Sequence, residues 1–271
     1  MPTTQIIFGD VHGQGDQLER FLLQAISRYG TSVKFITLGD LIDRGPSVPK
    51  VLDLCIEHEV TGIFGNHEGW IKSVLSGSDL PNGVKASIMG GIPTIESYGV
   101  SAADYPSKVG YNLRKRVPKN HAAFLKNLSL TRVVTHQTPP TEDMPTGAQK
   151  PYFLTHAGIN HTLVAPLLQR LVGANQSLTD QMILDVLAKV ASQELLWSSP
   201  DVFSNYQGAQ SMGLFRFTDA VQVFGHRPLQ KPIAEPDWFY AMDTGCGTCA
   251  PKLLSGLVLT DGEEPVTMSV R

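Results

Sequence analysis

Residues 60–75 read Val60-Thr61-Gly62-Ile63-Phe64-Gly65-Asn66-His67-Glu68-Gly69-Trp70-Ile71-Lys72-Ser73-Val74-Leu75. The apolar run Val60 to Phe64 suits a short strand, and Trp70 to Leu75 has helical spacing. A strand that ends in a glycine turn presents its next polar side chains at the carboxyl edge of a sheet, where α/β folds place their chemistry. Asn66 and His67 are therefore expected to project from that edge.

The same order of strand, glycine and polar cluster occurs twice upstream. Ile6-Ile7-Phe8 runs into Gly9-Asp10-Val11-His12-Gly13, and Val33 to Leu38 runs into Gly39-Asp40-Leu41-Ile42-Asp43-Arg44-Gly45. Between them Leu18, Phe21, Leu22, Ala25 and Ile26 recur at helical spacing, with Asp16 placed to cap the start and Gly30 the end. Val51, Leu52, Leu54, Cys55 and Ile56 make a second helix. Strands alternating with helices of this length predict an α/β chain that begins with a parallel βαβαβ half.

The segment from about 76 to 130 reads as a mostly helical insert, broken by Pro81-Asn82-Gly83, Gly90-Gly91, Pro106 and Pro118. Its basic run Tyr111 to Arg116 is read as a solvated helix face. Thr131 to Gln137 alternates like a strand, Thr138 to Lys150 reads as a long exposed loop, and Tyr152 to Thr155 is a strand ending at His156-Ala157-Gly158. Helical patterns over Thr162 to Leu171 and Thr179 to Leu196 follow. Val221 to Phe224 then ends at Gly225-His226, and strand-like runs Trp238 to Met242 and Leu253 to Leu259 close the chain. Without repeats or a low-complexity linker, one domain over residues 1–271 is expected.

A 42% hydrophobic content over 271 residues is ample for a continuous core. The net charge of -3 gives no electrostatic footprint for nucleic acid or an anionic membrane, so any grip on phosphate must be local. The N-terminus lacks the basic and apolar segments of a secretory leader, and no apolar run approaches ~20 residues, so a soluble cytoplasmic protein is expected. Three cysteines fit a reducing compartment. The lone Cys246-x-x-Cys249 lacks the second pair or preceding fold that a zinc or redox site requires.

Asp10, His12, Asp40, Asn66, His156 and His226 all fall at the ends of expected strands, so they can converge. Six N/O ligands without thiolate are too many for one tetrahedral zinc and suit two adjacent divalent ions, with Asp40 as the bridge. Two such ions ~3.5–4 Å apart can share a hydroxide and orient a phosphoryl group for in-line displacement. The departing alkoxide needs a proton, which His67 is placed to give, with Asp43 holding the imidazole. Arg44 offers a planar fork of donors to phosphate oxygens. His58, His121, His136 and His161 lack this setting and read as surface or loop residues.

G-D-x-H-G at Gly9 to Gly13, G-D-x-x-D-R-G at Gly39 to Gly45, G-N-H-E at Gly65 to Glu68, then His156 and Gly225-His226, together resemble the PPP family of metallophosphatases. The resemblance implies a calcineurin-like metallophosphoesterase fold, a central β-sandwich of mixed sheets flanked by helices, and a dinuclear Mn, Fe or Zn centre. It assigns Asp10, His12 and Asp40 to one metal and Asp40, Asn66, His156 and His226 to the other. It implies phosphate contacts from Arg44 and Asn66, and a second arginine. The usual place for that arginine, after Leu195-Leu196-Trp197, holds Ser198-Ser199-Pro200, which leaves Arg216 or Arg227. Asp43 and Glu68 favour a phosphoserine or phosphothreonine protein phosphatase, extending to phosphotyrosine, that acts as a monomer on phosphorylated proteins or peptides. The Asp243-Thr244-Gly245-Cys246 tail resembles symmetrical diadenosine tetraphosphatases, the rival reading. A non-catalytic phosphate-binding scaffold is a third, disfavoured by the complete ligand set.

Overall fold

The computed structural model describes residues 2–80, 89–101, 108–159, 189, 192–197, 220–235, 238–248 and 252–271. The first sheet runs in the order β11 (Val266–Val270), β10 (Leu253–Thr260), β1 (Thr4–Phe8), β2 (Lys34–Thr37), β3 (Thr61–Gly62), with β9 (Asp243–Thr244) also paired to β10. β1, β2 and β3 are parallel, with Phe8 opposite Thr37 and Thr37 opposite Gly62, whereas β10 is antiparallel to β1, β9 and β11. The second sheet runs β4 (Thr131–Gln137), β5 (Gln149–Thr155), β6 (Val221–Phe224), β8 (Phe239–Ala241), β7 (Ile233–Glu235). Its centre is parallel and its two edges antiparallel. Both sheets are therefore mixed.

Strand alternation decides which core each residue enters. In β1, Ile7 faces the second sheet and joins Ile36, Leu257, Val134, Tyr152, Val223 and Tyr240 in the core between the sheets. Its neighbours Ile6 and Phe8 face the other way, into a core built with the helices. All three are fully buried, each worth about 1.5–3 kcal/mol by area. Helix α1 (Gly15–Tyr29) covers that outer face with Leu18, Phe21, Leu22 and Ala25, and α2 (Val48–Glu57) with Val51, Leu52 and Cys55. Helix α3 (Asn66–Leu75) contributes Trp70, Ile71 and Val74. The insert supplies α4 (Ile92–Ser97), α5 (Val109–Arg116) and α6 (Lys119–Asn127), and among the described residues a further helix, α7, spans Ser192–Trp197.

Several local expectations are corrected. Helix α1 starts after Gln14 without a side-chain cap, so Asp16 sits inside the first turn, where it pairs with Lys50 at 2.8 Å. The 138–150 loop is shorter than expected because Gln149 and Lys150 already pair with β4. The chain does not close on Leu259, since β11 adds an edge strand that the sequence pattern, polar at Thr267 and Ser269, had concealed. The pattern at 162–171 lies outside the described residues, and that at 179–196 is described only as Lys189 and α7.

Two of the four discounted histidines are core residues. His121 is 2% exposed, its Nε2 2.9 Å from Asp53 Oδ1 and its Nδ1 3.0 Å from the Tyr98 hydroxyl. His136 is fully buried, with Nε2 3.0 Å from the Thr260 carbonyl. Their partners lie 68 and 124 residues away, beyond any local pattern. His58 is half-buried at the end of α2, and His161 lies outside the described residues.

Candidate metal centre

The carboxyl ends of β1, β2, β3, β5 and β6 meet on one seam between the two sheets, and each releases a polar residue there. Asp10 and His12 follow β1, Asp40 follows β2, Asn66 opens α3 just after β3, His156 follows β5 and His226 follows β6. Five of the seven described non-glycine residues with positive φ lie here: His12, Asp40, Asp43, Arg44 and His226. Left-handed backbone at side chains of this size is sterically costly and persists where surrounding bonds over-determine it. Gly39 and Gly65 make one such constraint possible. A Cβ on Gly39 (φ 95°) would stand 2.1 Å from the Gly65 nitrogen, and one on Gly65 would stand 2.0 Å from Asp40 Oδ1.

The second constraint is Glu68. Its buried carboxylate accepts the N–H groups of Gly65, Asp40 and Leu41, each at 2.8 Å, and that of Ile42 at 3.2 Å. It thus locks the β2 loop onto the start of α3, a role legible in the sequence only as an acid in a helix's first turn. Replacing Glu68 by Ala orphans four buried donors at about 1–3 kcal/mol each, so the metal-free protein is expected to lose at least ~3 kcal/mol in denaturant unfolding. A loss below about 1 kcal/mol would show that these amides find other partners.

Histidine orientation follows from backbone acceptors. His12 Nδ1 is 3.1 Å from the Ile42 carbonyl and His156 Nδ1 is 2.8 Å from that of Leu38, so each Nδ1–H is spent there and each Nε2 faces the seam. There His12 Nε2 is 3.8 Å from Asp10 Oδ2 and 3.7 Å from Asp40 Oδ2. His156 Nε2 is 3.3 Å from Asp40 Oδ2 and 2.9 Å from Asn66 Oδ1, and His226 Nδ1 is 3.1 Å from the same Asn66 oxygen. The Asp10 side chain also accepts the His226 backbone N–H at 3.1 Å.

Two triplets, His12/Asp40/His67 and Asp40/His156/His226, each bring their ligand atoms within 4.8 Å of one another, and Asp40 belongs to both. All six expected ligands are therefore brought together. Asp10 stands slightly apart from the first triplet, where the geometry substitutes His67. His67 Nε2 lies 3.8 Å from Asp40 Oδ2, while its Nδ1 is 2.8 Å from Asp43 Oδ2.

The electrostatics of the seam call for cations. Burial, then Asp243 and Asp40, push Asp10 well above the carboxylate range. Burial, with Asp40 close by, lifts Asp243 to about 6. Burial would also lift Asp40, but His156 and His67 outweigh it and hold this carboxylate ionised well below its ordinary range. Burial drives His12 to about 3 despite Asp40, and drives His226 to about 3 with the help of His156. His156 is the exception, since Asp40 overcomes the effect of burial and raises it to about 10. Imidazole nitrogens and carboxylate oxygens crowded at 3–4 Å, without a thiolate, form a donor set that fits divalent ions of the Mn, Fe or Zn kind.

His156 contributes to the pH response of the metal-free protein, together with His67, whose pKa is also raised. The folded pKa of His156 lies above its ordinary 6.5, so the stability it contributes is complete below 6.5 and is lost as pH rises towards about 10. Chelator-treated protein is expected to melt at progressively lower temperature across that window, and His156→Gln to flatten the slope. An unchanged slope in the variant would refute the assignment.

Arg44 is exposed and reaches back over the seam, with Nη1 2.9 Å from His12 Nε2 and Nη2 3.2 Å from His67 Nε2. Arg227 is half-buried, and its charge helps to depress His226. Arg216 lies outside the described residues. Beside His226, at 6.0 Å between rings, stands Trp197, 45% exposed at the end of α7. Asp243 was passed over as a site residue, although it follows a strand as Asp10 does. Cys246 is buried, its Sγ 3.2 Å from Gln17 Oε1, and burial pushes its thiol up, which makes it inert packing; Cys249 lies outside the described residues.

The sequence pattern of the calcineurin-like phosphoesterases matches residues 4–250, which include every candidate ligand and all the described strands except β10 and β11. The chain belongs to the calcineurin-like phosphoesterase family. Among curated relatives of this family member, a zinc-dependent endopolyphosphatase from Saccharomyces cerevisiae is 35% identical over 65 residues, 23% of this chain and 20% of that protein. A symmetrical bis(5'-nucleosyl)-tetraphosphatase from Neisseria gonorrhoeae is 35% identical over 68 residues, 24% of each chain. The chain thus matches about a quarter or less of these relatives' length. Among solved structures, one assigned as a diadenosine tetraphosphatase superposes with a TM-score of 0.55 at 17% identity, covering 98% of this chain and 93% of its own. A protein serine/threonine phosphatase from Saccharomyces cerevisiae, similar to human phosphatase PP5, superposes at 0.50 with 12% identity, covering 99% and 80%. At these identities the two structures share the fold. Among the described residues no helix is long and apolar enough to cross a membrane.

Proposed function

We propose that this metallophosphoesterase is a PPP-type phosphatase that hydrolyses phosphoserine and phosphothreonine monoesters in proteins or peptides, phosphotyrosine being a further monoester within reach. The observation that carries the reading is the buried pair His67 Nδ1 to Asp43 Oδ2 at 2.8 Å, set beside the shared Asp40. Burial opposes charge on His67, but Asp40 and then Asp43 outweigh it, so its pKa is raised and the imidazolium can deliver a proton. A serine or threonine alkoxide is a poor leaving group, and it gains most from such a donor.

Bound at Asp10, His12 and Asp40 and at Asp40, Asn66, His156 and His226, two divalent ions would activate a water molecule and neutralise charge on the phosphoryl oxygens. The protein's own part is to place and protonate the substrate. As described, Arg44 uses the Nε2 lone pairs of both His12 and His67. Ligation by His12 and a proton on His67 Nε2 each exclude that bond, so the guanidinium turns outward in the working enzyme. It then offers paired donors to the phosphate, alongside Asn66 and a second arginine, Arg216 or Arg227.

A second reading, dinucleoside tetraphosphate hydrolysis, draws on the curated Neisseria relative and the first of the two structures. Nucleotide leaving groups need less protonation, which leaves the His67–Asp43 pair without a task. The deciding experiment is turnover of a phosphoserine peptide, a phosphotyrosine peptide and diadenosine tetraphosphate at matched concentration, with Mn and then with chelator. Preference for a peptide supports the phosphatase, and preference for the dinucleotide overturns it.

A further inference from the structure

The backbone at Asp43 and Arg44 is left-handed at two successive residues, with φ of 69° and 64°. Unlike the β2 loop before it, which Glu68 holds, this pair is held by the insert. The Asp43 N–H donates to Thr94 Oγ1 at 2.9 Å, and the Arg44 N–H donates to the Gly90 carbonyl at 2.8 Å. The Thr94 hydroxyl in turn donates to Asp43 Oδ1 at 2.5 Å, while the Trp70 indole N–H donates to Oδ2 at 2.9 Å beside His67 Nδ1. Thr94 is fully buried, so no water can replace it at Oδ1.

Helix α4, which carries Thr94, is itself pinned at its far end. Its capping residue Tyr98 is buried, and the phenol meets His121 Nδ1 at 3.0 Å, with His121 Nε2 fixed by Asp53. A six-residue helix anchored at both ends is a rigid carrier for one hydroxyl.

We infer that Thr94 is a positioning residue for the proton-donating pair: bound to both the backbone and the carboxylate of Asp43, it fixes the carboxylate orientation that aims His67 at the leaving group. Through it the insert is part of the catalytic apparatus rather than a decoration on it. The inference rests on the general-acid reading above, in which only an aimed His67 hastens departure of an alkoxide.

The test compares Thr94→Val, which keeps shape and removes the hydroxyl, with Thr94→Ser, which restores it. With Mn-loaded full-length protein, Thr94→Val is expected to lower kcat on a phosphoserine peptide by about 10–100-fold, the usual effect of losing an outer hydrogen-bonding partner. Turnover of p-nitrophenyl phosphate, whose leaving group departs without an acid, should be nearly unchanged, and Thr94→Ser should recover the peptide rate. The Trp70 indole N–H resonance, which reports the position of Asp43 Oδ2, should shift in Thr94→Val and return in Thr94→Ser. Equal losses on both esters, or an unmoved indole signal, would overturn the assignment. If the wild-type protein cleaves no phosphopeptide, the functional reading falls, and the indole resonance alone decides whether Thr94 places Asp43. Should Thr94→Val not fold, Tyr98→Phe frees the far end of α4 instead, with the same selective loss expected and an equal loss on both esters counting against it.

Discussion

His67→Asn is expected to lower turnover of a phosphoserine peptide by about 10²–10⁴-fold, the usual worth of a positioned general acid. Turnover of p-nitrophenyl phosphate should fall far less. The asymmetry follows from the proposed role: as general acid, His67 would lend its proton to the leaving oxygen, and an aryl oxide leaves without it. Asparagine is close in size, and Asp43 keeps its bonds to Thr94 and Trp70. A general collapse of the seam would instead depress both substrates and lower the melting temperature. Near-normal phosphopeptide turnover in the variant would remove the proton-donor role altogether. His67 also completes the triplet with His12 and Asp40, so metal content must be measured alongside. A variant that has lost metal would report on binding, whereas one that keeps it reports on proton transfer.

Asp40→Asn is expected to have the largest effect on metal. Asp40 belongs to both triplets, and its Oδ2 lies within 4 Å of His12, His67 and His156. An amide cannot bridge two cations through a negative oxygen. Several kcal/mol of charge stabilisation should therefore vanish, on the order of 10³-fold in metal-dependent rate. Mn should raise the melting temperature of the wild type, because ions that bind the native state alone stabilise it. That rise should be absent or small in the variant. The metal-free variant should still fold, since its Oδ1 can accept the His67 backbone N–H, now 3.1 Å from Asp40 Oδ1. An Asp40→Asn protein that keeps both its metal-induced stabilisation and its activity would refute the shared position.

The convergence of these side chains was legible in the sequence because its grammar is local. Each of Asp10, Asp40, Asn66, His156 and His226 follows an apolar run and a close glycine or tight turn, and the structure brings all of them to one seam. The parallel β1-β2-β3 order was legible for the same reason, since helices of ordinary length separate the strands. What escaped was decided by distant partners. Nothing around Thr94 announces a bond to a carboxylate 51 residues earlier, and the burial of His136 depends on a carbonyl 124 residues later. Strand β11 escaped because only every second residue of an edge strand needs to be apolar, and here Met268 and Val270 alone are buried. Asp16 misled because a capping residue suits the helix start equally well one turn position away.

The order in which the chain is made gives the seam a history. Asp10, His12, Asp40, Asn66 and His67 all emerge early, just past the ends of neighbouring parallel strands, so four of the six expected ligands can gather while the chain is short. Yet β1, which leads into the first two, is flanked on its other side by β10, from nearly 250 residues later in the chain. Until that strand arrives, one edge of β1 is an open template beside a cluster of unshielded carboxylates and imidazoles. Pairing across so long a separation is slow to form. The interval between these events is when the nascent chain is most exposed both to mispairing and to capturing a metal before the second sheet can complete the site.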